Sequence, residues 1–129
     1  WLPEKTRLQI DALERLEVSA VVGHMVRVPQ PPAAAETPVP GMTPSALIVR
    51  RTLVDRVGPF DERFRIACDT DWFLRLHDLG AGPHVLDDVV MRKHVRAERL
   101  SGDVEAYRRE MLTVLREAST RRAVGRPGG

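Results

Sequence analysis

The chain has 129 residues and a formal net charge of +2, with 43% hydrophobic and 29% charged residues; this suits a single globular domain over residues 1–129. One cysteine, Cys68, excludes an internal disulfide and any cysteine-cluster metal site. No apolar run approaches the ~20 residues that cross a bilayer, and no basic-then-apolar leader opens the chain, so a cytoplasmic location is expected.

From Pro3 to Leu16 the spacing predicts a helix. Proline suits a first helical turn, and Leu8, Leu13 and Leu16 recur near the helical period. Ser19 to Val28 is valine-rich and predicts a strand buried on both faces. Residues 29–44 hold six prolines, at 29, 31, 32, 38, 40 and 44, and predict a loop. Ser45 to Val49 fits either a strand or a helix start. Arg51 to Val57 predicts a short helix, which Gly58 closes and Pro59 cannot extend.

Thr70 to Leu79 predicts a second helix, with Trp72, Phe73, Leu76 and Leu79 on its apolar face and Gly80 at its end. Asp69 is placed to cap it, since an aspartate at a helix start accepts bonds from free backbone N–H groups. Asp71 and Arg75 stand four apart and can pair. His84 to Leu86 and Val89 to Val95 predict two short strands around Asp87 and Asp88. Ser101 is expected to open a last, long helix with Asp103 in its first turn, and Val104, Tyr107, Met111, Val114 and Ala118 follow one face. Residues 121–129, ending RPGG, read as a frayed tail. Together these elements make an α/β domain.

The basic residues are arginines except Lys5 and Lys93. They lean toward the last third, from Arg92 to Arg126. So small a net charge is not a nucleic-acid signature, and the aromatics that a single-strand platform interleaves are missing. Nucleic acid is the least favoured partner.

Several stretches carry a family likeness. Gly58 to Phe64 reads Gly-x-Phe-Asp-Glu-x-Phe; Asp69 and Asp71 follow, then Trp72 and Leu74-Arg75-Leu76. The opening WLPEKTRLQIDAL and the late MRKHVRAERLS continue the pattern. This resembles the C-terminal half of family 2 glycosyltransferases of the GT-A fold. The resemblance implies a partial GT-A-like domain with a mixed sheet flanked by helices and a long C-terminal helix. It implies transfer of a sugar from a nucleotide-sugar donor to an acceptor, with inversion, and a divalent metal, Mn or Mg, in the complete enzyme.

By the same resemblance Asp69 matches the catalytic base, the second residue of the family's usual Glu-Asp pair; Cys68 stands where Glu is common. Asp61, Glu62, Asp71 and Trp72 are candidates for acceptor binding, His94 for the metal and Arg92 for the diphosphate. Each has a plainer reading beside it. Asp69 is a helix cap, Asp61 and Glu62 are turn carboxylates, Asp71 is the partner of Arg75, Trp72 is core, and His94 and Arg92 belong to a solvated basic edge. The family's Asp-x-Asp motif for metal and nucleotide is not matched, because the flanks of Asp69-Thr70-Asp71 fit the later acidic region. The chain is therefore expected to lack the donor-binding half and to be inactive alone. The alternative is a non-catalytic assembly module that dimerises through sheet edge and apolar surface.

Overall fold

The computed structural model describes residues 1–30, 37–96 and 103–125, without the side chains of Gln30 and Arg96. In chain order come helix α1 (Lys5–Arg15), strand β1 (Ala20–Gln30), strand β2 (Val39–Pro40), a 3-10 turn (Pro44–Ala46), strand β3 (Leu47–Val49), helices α2 (Arg51–Val57) and α3 (Cys68–Asp78), strand β4 (His84–Arg96) and helix α4 (Val104–Gly125). The expected α/β class with a mixed sheet and flanking helices is what forms.

β1 is the centre of the sheet. β4 pairs with it in parallel along one edge, from Val21↔His84 to Gln30↔Arg96. β3 and β2 pair with it antiparallel, at Ala20–Val22 and at His24–Met25, so they lie end to end along the other edge. Parallel neighbours need a crossover, and α2 and α3 form part of it.

Successive side chains of a strand face opposite sides, and this sorts two cores. Ala20 and Val22 pack against Leu53, Val57, Trp72, Phe73 and Leu76 of α2 and α3. Val21 packs on the reverse face against Ala12 and Leu13 of α1 and Leu86. Gln9 ties α1 to that face: its buried side-chain amide donates to the carbonyls of Val21 at 3.0 Å and Ala46 at 2.7 Å. Where β2 meets β1, Gly41 donates to the Gly23 carbonyl at 2.9 Å. A Cβ on Gly41 would stand 2.6 Å from that of Ala46, and one on Gly23 would overlap the Val90 methyls. Both positions therefore need glycine for close approach.

Helix α4 packs on α3 and on the segment that precedes it. Val114 meets Phe64 and Ala67, with Met111 alongside. It runs in the same direction as α3, since Glu110 lies at the α3 entrance while Arg121 and Arg122 lie at Asp78 near its end.

Several expectations need correction. The two strands foreseen around Asp87 and Asp88 are one, because a bulge absorbs the extra residues: Val22 pairs with Val85 but His24 with Val89. His24 completes the bulge. Its Nδ1 lies 2.6 Å from the Leu86 carbonyl, and since a carbonyl only accepts, that nitrogen carries the proton. The stretch 29–44 is not loop throughout: β1 runs on to Gln30 and Val39–Pro40 pairs as β2, while residues 31–36 fall outside the described ones. Residues 45–49 resolve into a 3-10 turn followed by a strand. Residues 121–125 continue α4, held by ion pairs of Arg121 and Arg122 to Asp78. Val104 and Tyr107, expected on the packed face of α4, are 47% and 46% exposed. Ser101 lies outside the described residues; Asp103 receives the Ala106 N–H at 3.3 Å, a capping bond at the start of α4.

Candidate functional site

The candidate residues gather around the first turn of α3. Glycine at 58 allows the turn before it: its φ is +83°, open to few other residues. The last carbonyls of α2 have no helical partners. Side chains of α3 supply them. Arg75 donates to Val57 and Pro59, each at 2.7 Å, and the Trp72 indole donates to Gly58 at 3.0 Å.

Helix α3 starts at Cys68, earlier than foreseen. Its N-cap is Ala67, which offers no side-chain acceptor. Asp69 is therefore inside the first turn and not at the cap position. The half-buried Asp69 carboxylate receives only the Thr70 N–H, at 2.8 Å, among the described residues. Glu110 of α4 holds the segment that leads into the helix. Its carboxylate receives the backbone N–H groups of Arg65 at 3.1 Å, Ile66 at 2.8 Å and Ala67 at 2.9 Å. The bonds from Ala67 and Ile66 hold the Glu110 carboxyl below its ordinary value.

Asp71, in the same turn as Asp69, has the opposite fate. It is 2% exposed, with Arg75 Nε at 2.8 Å and Arg121 Nη1 at 3.7 Å. It is a structural anion, as its spacing from Arg75 suggested, and is no acceptor ligand. Trp72 is likewise core. It is 3% exposed and packs at 5.8 Å from Phe60 and edge-on at 5.7 Å to Phe73, so no open face is left for a sugar ring.

Asp61 is clamped by Arg63, which donates to it from the backbone at 3.0 Å and from the guanidinium at 2.6 Å. That bond holds the Asp61 carboxyl below its ordinary value. The same guanidinium grips Glu117 of α4 at 3.0 Å, and the two carboxylates raise the Arg63 pKa. Glu62, by contrast, is exposed beside them. Phe60, Asp61, Arg63, Asp71, Arg75 and Arg121 line an open cleft of about 430 Å³. Its cations and anions pair internally, and Asp69 does not line it.

Arg92 and His94 lie opposite Val26 and Val28 in the parallel ladder. Two apart on one strand, they share a face of β4, and both are exposed. Among the described residues no three His, Cys, Asp or Glu side chains converge as a metal site. His94 is not part of such a group. No helix among them is long and apolar enough to cross a membrane.

Sequence reasoning missed Glu110, Glu117 and Arg121. Each acts across some 40 residues or more, and only the capless Ala67 hints that acceptors come from elsewhere. Comparison with family models, with curated proteins and with solved structures finds no match.

Proposed function

We propose that this chain is the acceptor side of an inverting, nucleotide-sugar-dependent glycosyltransferase, with Asp69 as the base. The observation that carries the reading is the contrast within one helical turn: Asp71 is locked between Arg75 and Arg121, whereas Asp69 keeps a carboxylate without an ion pair among the described residues. A base must reach the acceptor hydroxyl. The connection 79–83 leads from the end of α3 into β4. Trp72, Phe73 and Leu76 lie over the start of β1. The α3 entrance is then directed toward the carboxyl ends of the parallel pair β1–β4, where open α/β sheets place their ligands. Arg92 and His94 stand on that stretch of β4 and are assigned to the diphosphate.

In the reaction the acceptor oxygen bonds to the anomeric carbon, its proton passes to Asp69, and the bond to the nucleoside diphosphate breaks with its electron pair leaving on the phosphate oxygen. In the natural gene product, supplied with Mn²⁺ and a panel of nucleotide sugars, Asp69→Asn is expected to lower kcat about 10²–10⁴-fold. Its melting temperature is expected to stay near wild type. Full activity in Asp69→Asn, or no transfer with any donor, overturns the reading. The 129 residues alone are expected to release no nucleoside diphosphate.

A second reading, self-association, draws on α4. Leu112 and Leu115 are 55% and 51% exposed on its outer side. Light scattering during size-exclusion chromatography tests it; a monomer at every concentration removes it.

A further inference from the structure

We infer that Glu110 is a positioning residue for Asp69, acting from the last helix on the first turn of α3. The inference rests on the reading of Asp69 as the base. The start of a helix leaves N–H groups without partners, and the residues just before it need an anchor of their own if the first turn is to hold one orientation. Ala67, the N-cap, has no side-chain acceptor. Glu110 receives three consecutive backbone N–H groups there, from Arg65, Ile66 and Ala67, at 2.8–3.1 Å. Bonds of this kind, to an ionised acceptor, are the strong ones. The Ala67 carbonyl in turn receives the Asp71 N–H at 2.9 Å, the first bond of α3. Asp69 lies between these two residues, so the carboxylate that fixes Ala67 also fixes the backbone that carries Asp69. Val114, one turn after Glu110 and fully buried against Phe64 and Ala67, keeps α4 at the distance this contact requires.

The arrangement makes the placing of Asp69 depend on the Glu110 end of α4 being seated. Its test is Glu110→Gln in the natural gene product. Glutamine keeps the shape but loses the charge and one of the two acceptor oxygens. Amide exchange of residues 65–67 is expected to speed up about tenfold. kcat is expected to fall about tenfold with the donor KM unchanged, the signature of a misplaced group and not of lost binding. Arg122→Ala is the control: it breaks the pair with Asp78 at the opposite end of α4 and is expected to leave kcat and the exchange of residues 65–67 unchanged. Unchanged exchange in Glu110→Gln overturns the inference, as does an equal fall of kcat in Arg122→Ala. A silent Asp69→Asn overturns the base reading instead, and the exchange measurement still decides whether Glu110 anchors the turn.

Discussion

The two faces of α3 are held by different forces. Toward the sheet, Trp72, Phe73 and Leu76 pack against Ala20, Val22, Leu53 and Val57. Toward α4, Val114 and Ala118 are the buried apolar residues that α4 contributes. Much of the remaining hold on that side is charge: Arg121 on Asp71 and Asp78, Arg122 on Asp78, Glu117 on Arg63, and Glu110 on three backbone N–H groups. Apolar burial is indifferent to pH and is not screened by salt. Ion pairs open to solvent weaken with both. One helix is thus fixed firmly on its inner side and adjustably on its outer side, and the outer side is where the proposed base is positioned.

The inner face is broken most severely by Leu76→Ala. Leu76 is 0% exposed, and deleting such a side chain costs about 3 kcal/mol through lost transfer energy and the cavity left behind. Denaturant unfolding should show that loss in the midpoint with an unchanged slope. Asp71→Ala comes next. It takes the shared anion from Arg75 and Arg121; removing one partner of a buried pair costs about 3 kcal/mol, or about 2 here because the two arginines keep 22% and 33% side-chain exposure and Arg121 keeps its pair with Asp78. Asp71→Ala should also shift the 58–60 turn, because Arg75 holds the carbonyls of Val57 and Pro59. An effect below that of a surface pair would remove Asp71 from its structural role.

What the sequence disclosed about these faces follows from distance along the chain. The Asp71–Arg75 pair was legible because four residues make one helical turn, and Gly58 was legible as a helix end because its positive φ favours glycine. The valine-rich run of β1 was legible as burial on two sides. The bulge in β4 was not, because the register with β1 is a property of two strands some 60 residues apart. Asp69 was misplaced as a cap for a similar reason. Its residue type suits the role, but the helix begins a residue before it, and the anchoring carboxylate arrives from Glu110. Arg92 and His94 were legible as residues of one strand with a solvated basic edge. Their relation to Asp69 depends on how α3 lies over the sheet, which no local pattern encodes.

Acid separates the two faces more gently. Three carboxyls are held below their ordinary values: Glu110 below 4.5 by the Ala67 and Ile66 N–H groups, Asp61 below 3.8 by Arg63, and Asp78 below 3.8. For Asp78 burial pushes upward, and the Arg122 and Arg121 guanidiniums outweigh it. A carboxyl whose folded value is depressed adds stability above its unfolded value and loses it as pH falls through the folded one. The contacts of α4 should therefore persist at neutral pH and weaken below about pH 4. Amides of α4 are expected to exchange faster there, after correction for the intrinsic rate, before those of β1 and α3. Simultaneous loss of all protection would mean that the two faces form one cooperative unit.

The smallest expected effect sharpens the same contrast. Arg51 and Asp55 of α2 stand four apart, as Arg75 and Asp71 do. Their contact is 3.4 Å, with side chains 88% and 63% exposed, against 2.8 Å and 22% and 3% for the α3 pair. Spacing and charge types are alike; solvent and geometry differ, as do the order of the two charges along the helix and the second cation, Arg121, beside Asp71. Water screens the exposed pair, and ordering two long side chains offsets most of its attraction. Arg51→Ala should change stability by less than about 0.5 kcal/mol, and 1 M salt should erase the change. A loss comparable to that of Asp71→Ala would mean that charge in the helical repeat, and not burial at the turn between α2 and α3, holds these helices in place.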